Sequence, residues 1–216
     1  MSLNSFFLLL FSFIFIFVLF RNLNIFVDEA RYSEHKRIGK ENKKPLVIGG
    51  LFLILSILYF LPSSYIFIKI FFIILFFLGF LSDRNYLSNP KIRLILQVII
   101  LIFLVYFESL SIRSININFF DNLLKINFIN IVFTVFCLSI LLNGSNFIDG
   151  LNGLVSGYYL IVLLSIFYLN YNFSLFHAIS IIELDLIKVL IFALFKFFIF
   201  NIFGLVYLGD SGSYII

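Results

Sequence analysis

Long apolar runs recur along the whole chain, and they limit its possible folds more than any other feature. Each run comes close to the ~17–25 residues that an α-helix needs to cross the hydrocarbon core of a bilayer. The seven runs are residues 3–20, 46–61, 64–81, 94–107, 126–142, 154–169 and 184–200. Strict alternation of apolar and polar residues is missing from them, so they are not barrel strands. The runs predict transmembrane helices.

The composition excludes a water-soluble domain. Hydrophobic residues make up 62% of the 216 positions, charged residues make up only 12%, and the mean hydropathy is +1.15. The sequence therefore predicts an all-α fold, a polytopic transmembrane helix bundle of seven complete spans and the start of an eighth. Residues 1–216 are expected to form a single multi-span membrane domain, without a nucleic-acid partner.

The basic residues indicate the orientation of the bundle. Residues 21–44 and 84–93 hold ten of the fifteen Lys and Arg, and by the positive-inside tendency both loops are cytoplasmic. Loops 143–153 and 201–213 then fall on the same side, and the N-terminus lies outside. Orientation alone would explain these charges. The alternative is that some of them also bind a phosphorylated substrate, and the candidates are Lys36, Lys44, Lys91 and Arg93.

Three acidic residues lie at the predicted cytoplasmic ends of different helices. They are Asp83, Asp149 and Asp210, and the topology places all three on one face. Carboxylates at membrane depth are costly, and several on one surface suggest either a divalent metal or a proton relay. The glycines around Asp149 and Asp210 favour a metal or phosphate ligand, because bare backbone can approach it closely.

Structural roles could also account for these residues. Asp149 and Asp210 could simply be the N-caps of spans six and eight, since aspartate is a preferred capping residue. The asparagines of NGSNFIDGLNGL, residues 143–154, could serve to form turns. The three acids could also bind the coupling cation of a membrane transporter, although no repeated halves with broken helices are evident.

Four stretches of the chain resemble the successive cytoplasmic motifs of a known family. They are KPLVIGG (44–50), LSDRNYLSNPKIRLILQ (81–97), NFIDGLNGL (146–154) and YLGDSGS (207–213). Together they resemble the polyprenyl-phosphate N-acetylhexosamine-1-phosphate transferases of glycosyltransferase family 4, which start peptidoglycan lipid, O-antigen and teichoic acid synthesis. The resemblance implies Mg²⁺-dependent transfer of a sugar 1-phosphate from a UDP-sugar to polyprenyl phosphate, with release of UMP.

The resemblance also implies roles for individual residues. Asp210 matches an aspartate implicated in metal binding, and Asp83 and Asp149 match residues of the catalytic region. Asn146 and Asn152 fall in the nucleotide-binding region. Asn152 stands where the family has a second acid, and Ser82 stands where it has the first member of an aspartate pair. These two departures remove two negative charges and fit a branch that acts in surface polysaccharide assembly, such as lipopolysaccharide O-antigen, outside the peptidoglycan enzymes.

The resemblance carries expectations about location and completeness. It implies a multi-pass protein of the bacterial inner membrane, with its active site on the cytoplasmic face and a homodimer as a further expectation. The family pattern continues beyond Ile216 with further helices and a cytoplasmic loop rich in His and basic residues. The chain is therefore expected to be C-terminally truncated, the N-terminal two-thirds of a family-length protein, and to insert into membranes without being active by itself.

Overall fold

The computed structural model describes residues 3–27, 45–172 and 181–216, and most of these residues are helical. The longer helices are α1 (Leu3–Leu23), α2 (Gly49–Phe60), α3 (Ile66–Asp83), α4 (Pro90–Phe107), α6 (Asn127–Ile148), α7 (Leu154–Asn172) and α8 (Ile181–Ile202). Two short helices, α5 (Asn118–Leu124) and α9 (Gly209–Ser213), a 3₁₀ helix (Ser63–Tyr65) and two strands, β1 (Leu46–Val47) and β2 (Val206–Tyr207), complete the described part of the fold. The prediction of an all-α bundle is confirmed, with one short strand pair added to it.

Four helical stretches within the described ranges are long and apolar enough to cross a membrane. They are Ser63–Asp83, Pro90–Phe107, Asn127–Ile148 and Leu154–Tyr171, and they correspond to the predicted spans three to six. The total of seven complete spans stays a prediction.

The second predicted span differs from the structure. Residues 46–61 were expected to form one helix, but α2 has only 12 residues. At ~1.5 Å per residue it is about 18 Å long, well short of the ~30 Å hydrocarbon core. The run begins as strand β1, which pairs in parallel with β2, so Leu46 lies opposite Val206 and Val47 opposite Tyr207. Hydropathy alone does not separate an apolar strand from an apolar helix.

The fifth predicted span continues further than expected. The predicted loop 143–153 is helical as far as Ile148, where α6 ends. Asparagine and glycine are weak helix formers, but tertiary contacts override that preference here. Ser145 Oγ donates to the carbonyl of Leu141 at 2.7 Å and lies 2.5 Å from the hydroxyl of Tyr159 on α7. The polar residues of this stretch therefore belong to a helix face, and only residues 149–153 form a turn.

The short helix α9 lies in the middle of the bundle and packs against α2, α3 and α6. Glycines make this contact possible. A Cβ atom added to Gly79 of α3 would lie 2.5 Å from the backbone nitrogen of Ser211, and one added to Gly50 of α2 would lie 2.5 Å from that of Gly212. Below it, α1, α2 and α8 form an apolar core in which Phe13 meets Phe52 and Phe200 edge to face. This core holds α9 in a fixed position.

Candidate functional site

The carboxylate of Asp83 holds the start of α9. Asp83 is the last residue of α3, and its Oδ1 accepts a hydrogen bond from the backbone N–H of Asp210 at 2.7 Å. Its Oδ2 accepts one from the N–H of Ser211 at 3.0 Å. The first N–H groups of a helix have no partner within the helix, and a negative charge beside them is favourable. Asp83 therefore caps α9 from a neighbouring helix.

This arrangement excludes the alternative in which Asp210 is an N-cap. The N-cap position of α9 is occupied by Leu208, whose side chain makes no capping hydrogen bond, and Asp210 lies in the first turn. Gly209 has a φ of +73°, and an added Cβ would lie 2.8 Å from Oδ2 of Asp83. The backbone turn before α9 therefore needs a glycine, and it directs the Asp210 side chain away from the cap.

Asp210 makes a compact polar cluster with Ser82 and Arg93. Its Oδ2 accepts hydrogen bonds from Ser82 Oγ at 2.5 Å and from Arg93 Nη1 at 2.6 Å, and Arg93 also donates to Ser82. The side chains of Arg93 and Asp210 are 23% and 24% exposed. Oδ1 of Asp210 makes no hydrogen bond within the described ranges. One carboxylate oxygen thus remains available to a ligand at a partly open site.

A polar seam extends from this cluster between α4, α6 and α9. We define the polar seam as Arg93, Gln97, Asn143, Asn146 and Ser213. Nδ2 of Asn143 donates to Oε1 of Gln97 at 3.1 Å. Oγ of Ser213 donates to Oδ1 of Asn146 at 3.3 Å. Ser213 Oγ also lies 3.0 Å from the carbonyl oxygen of Asp210. The asparagines of α6 therefore join α4 to the motif that contains Asp210.

Tyr214 closes the buried end of α9. It follows the helix directly and is 3% exposed. Burial and, to a smaller extent, the negative charge of Asp210 raise the pKa of its phenol to about 12. The phenol is therefore protonated at physiological pH and acts as a hydroxyl group.

Asp149 does not have the position that the capping alternative gives it. It is the C-cap of α6, not the N-cap of α7, and it is 8% exposed. Among the described residues, no group of three or more acidic, histidine or cysteine side chains is placed to hold a metal ion. Asp83 and Asp210 thus lie in direct contact, but Asp149 does not complete a three-carboxylate metal site with them.

The turn that contains Asp149 and Asn152 is fastened to β2. The N–H of Gly153 donates to Oδ1 of Asn201 at 2.5 Å, and Nδ2 of Asn201 donates to the carbonyl of Val206 at 2.8 Å. Asn201 is 4% exposed and was not singled out in the sequence. Asn201 connects the 149–153 turn to strand β2, which leads into α9. One side-chain amide therefore fixes the relative position of two motifs, NFIDGLNGL and YLGDSGS.

The four predicted basic residues do not all lie at the site. Arg93 is part of the cluster, whereas Lys91 is exposed in the first turn of α4, after the N-cap Asn89. Lys36 and Lys44 lie outside the described residues. Gln97 was not predicted from the sequence, although the sequence contains a signal for it. It is the single polar residue in the apolar run 94–107 and lies four residues after Arg93.

The donor set fits a magnesium ion that is held mainly by its substrate. Mg²⁺ in proteins commonly takes one or two carboxylates together with phosphate oxygens. Asp210 offers Oδ1, while both oxygens of Asp83 are used by backbone N–H groups. Asp210 is therefore the carboxylate that could hold the ion. Asp83 would keep Asp210 in position through its hydrogen bonds to the backbone of α9.

These features define a class of protein: an apolar helical bundle with membrane-spanning helices and a polar, partly open centre. A family model described as "Glycosyl transferase family 4" matches residues 65–216, and the chain belongs to that family. The match covers α3 to α9, which includes the whole cluster around Asp210. A comparison with curated proteins gives no match. At the level of the family, the protein is a transferase that passes a phospho-sugar to a lipid-linked acceptor.

Proposed function

We propose that the protein transfers N-acetylhexosamine 1-phosphate from a UDP-sugar to polyprenyl phosphate in a Mg²⁺-dependent reaction that releases UMP. The observation that carries the proposal is the cluster of Asp210, Ser82 and Arg93, which Asp83 fixes at the start of α9. Membership of glycosyltransferase family 4 supports the type of transfer and disfavours the transporter alternative. The product would begin a surface polysaccharide such as the O-antigen of lipopolysaccharide.

The reaction needs little acid or base chemistry. A phosphate monoester has a second pKa near ~6, so the lipid phosphate is already largely a dianion at neutral pH. One of its oxygens attacks the phosphorus that carries the sugar and forms a new P–O bond. The P–O bond to the uridine monophosphate part breaks, and UMP leaves with its electron pair. The protein has to align two anions and offset their charge.

Different residues of the site would align the two anions and compensate their charge. Arg93 offsets negative charge and is already oriented by Asp210. Asp83 orients α9 through two backbone N–H groups. Asp149, the C-cap of α6, would be the second catalytic carboxylate, on the donor side. A magnesium ion at Oδ1 of Asp210 would supply a positive charge to the diphosphate. Asn146 and Asn152 would bind the nucleotide, and Lys36, Lys44 and Lys91 would attract the phosphates.

The proposal extends to location and assembly. The site would face the cytoplasm from the bacterial inner membrane, where both UDP-sugars and the phosphate groups of lipids are available. In a homodimer, each site would be formed by a single subunit, because the residues of the cluster come from a single chain.

Asp210→Asn is the first test. We expect it to abolish radiolabelled transfer from UDP-N-acetylglucosamine to polyprenyl phosphate, because it removes the charge that binds Mg²⁺ and orients Arg93. The assay uses membranes from cells that express the complete coding sequence, with and without Mg²⁺. Asp121→Asn is the matched control, since Asp121, like Asp210, accepts a hydrogen bond from a serine hydroxyl, but it lies in α5, outside the cluster. Near-normal, metal-dependent transfer by Asp210→Asn would refute the assignment of Asp210.

A further inference from the structure

Helix α5 has its apolar and polar side chains on opposite faces. With ~3.6 residues per turn, three apolar residues share one side of the helix, namely Phe119, Phe120 and Leu123. Three polar residues share the other side, namely Asn118, Asp121 and Asn122. A helix with this pattern is typical of a segment that lies along the boundary between an apolar and a polar phase.

The apolar face of α5 is left open by the described part of the chain. Phe119 is 69% exposed and Phe120 is 45% exposed, whereas Leu124, on the side of the helix that meets the bundle, is 6% exposed. Contact between exposed aromatic rings and water is unfavourable, and neighbouring exposed apolar side chains mark a surface that an apolar phase or partner covers. A surface other than the described residues therefore covers Phe119 and Phe120.

Hydrogen bonds fix the orientation of α5 relative to α6. Asn130 of α6 is 7% exposed, and its Nδ2 donates to the carbonyl oxygens of Leu124 at 3.0 Å and Ile112 at 2.8 Å. Its Oδ1 accepts a hydrogen bond from the N–H of Ile112 at 3.2 Å. Asp121 of α5 accepts one from the N–H of Ile115 at 2.8 Å. The protein therefore holds the aromatic face of α5 in one direction.

The position of α5 in the chain places it beside the bilayer. It connects α4 and α6, which are both long and apolar enough to cross a membrane. Only Lys125 and Ile126 separate α5 from α6, so α5 lies within ~10 Å of the end of that span. Tyrosine is enriched where membrane spans meet the headgroup region, and Tyr106 is 67% exposed at the adjoining end of α4.

A lipid surface fits the open face of α5 better than a second protein does. Seven residues of helix extend ~10 Å, whereas a standard protein interface buries about 800 Å² on each partner. The basic residues that flank α5 are both exposed, Arg113 before it and Lys125 after it. Long basic side chains keep their charged ends in the headgroup region while their stems lie along apolar surface.

We propose that α5 is an interfacial anchor, which lies along the membrane surface with Phe119 and Phe120 inserted between the headgroups and the acyl chains. Its polar face then points to the headgroups and water. The hydrogen bonds of Asn130 fix α6 relative to this anchor. The anchor lies at the end of α4 opposite to Arg93, outside the cluster around Asp210, so the proposal does not rest on the proposed function.

Tryptophan fluorescence tests this proposal, because the chain contains no tryptophan and one introduced indole reports on one position. Phe119→Trp reports on the apolar face, and Asn122→Trp is the matched control on the polar face of the same helix. Ile161→Trp, at a 67% exposed position inside α7, is the reference for contact with acyl chains. Each protein is placed in lipid nanodiscs of ordinary or brominated phosphatidylcholine, with bromine in the upper part of the acyl chains, and acrylamide is then added to the water.

We expect brominated lipid to quench Phe119→Trp at least about twofold more strongly than Asn122→Trp, because the first indole lies among the lipids and the second does not. Acrylamide should show the reverse order, and Ile161→Trp should follow Phe119→Trp. Equal quenching of the two α5 variants by acrylamide, or by brominated lipid, would overturn the proposal. Emission from Phe119→Trp that neither quencher reduces would also overturn it, because protein would then cover this face. None of these outcomes bears on the transfer reaction.

Discussion

A single residue, Ser82, sets the charge next to the carboxylate of Asp210. Its hydroxyl donates to Oδ2 of Asp210 and lies against Arg93, so it occupies the space between an acid and a base. In the sequence, Ser82 was recognised only as a lost negative charge relative to the family pattern. The structure adds that it is a hydrogen-bond donor to the candidate metal ligand.

Substitution of Ser82 should change both the rate and the metal dependence of transfer. Ser82→Ala removes one hydrogen bond to a charged group, worth ~1.5–3 kcal/mol, so we expect a loss of roughly tenfold or more in kcat. Ser82→Asp adds a carboxylate that competes for Arg93 and makes the site more negative, so Mg²⁺ should half-saturate the enzyme at a lower concentration. Transfer rates across a Mg²⁺ titration measure both effects.

The control for these variants is Ser114→Ala. Ser114 donates to Oδ2 of Asp121 at 2.9 Å, an analogous serine–aspartate pair outside the site. Its loss should leave kcat and the Mg²⁺ dependence unchanged. If Ser82→Ala behaved like Ser114→Ala, the contact between Ser82 and Asp210 would have no role in the reaction.

At the scale of elements, the close contact between α3 and α9 is the most sensitive feature of the fold. A Cβ at Gly79 would lie 2.5 Å from two backbone atoms of Ser211 and 2.6 Å from the carbonyl oxygen of Asp210. Backbone cannot yield as a flexible side chain can, so Gly79→Ala must displace α9. We expect this variant to insert into membranes normally but to lose most of its transferase activity, as measured in the same assay.

Gly144→Ala is the matched control, because it makes the same change in α6, where an added Cβ meets nothing within 4 Å. Alanine is a better helix former than glycine by ~1 kcal/mol, so this variant should be at least as stable as the wild type. Equal activity in the two variants would show that α9 does not need its close approach to α3.

The elements that the sequence predicted well are those whose signal is local. Spans three to six follow directly from the apolar runs, although α4 begins at Pro90, four residues before the predicted run 94–107. Pairings between distant segments left no local signal. Strand β1 is apolar in either conformation, and only its partner β2 makes it extended. The capping of α9 by Asp83 was equally hidden, because its donors lie on another helix.

At the scale of the whole molecule, the two ends of α4 should lie on opposite sides of the membrane. Ser88 lies between α3 and α4, and Asn118 begins α5 after the other end of α4; both are exposed. In a Cys137→Ser background, a cysteine at Ser88 should react with membrane-impermeant thiol reagents only from the cytoplasmic side. A cysteine at Asn118 should react only from the outside. Labelling of both from one side would contradict the proposed topology.

The pairing of β1 with β2 also has a consequence for biogenesis. The ribosome completes residues 46–47 long before it reaches residues 206–207, and the hydrogen bonds between them close a loop that includes most of the bundle. Contacts between such distant segments form slowly, because the chain must give up the entropy of the whole loop first. Each earlier helix can leave the translocon and enter the bilayer on its own. The contacts of Asp210 with Ser82, Asp83 and Arg93 can form only after synthesis has passed Ser213, so they are among the last contacts of the bundle to form.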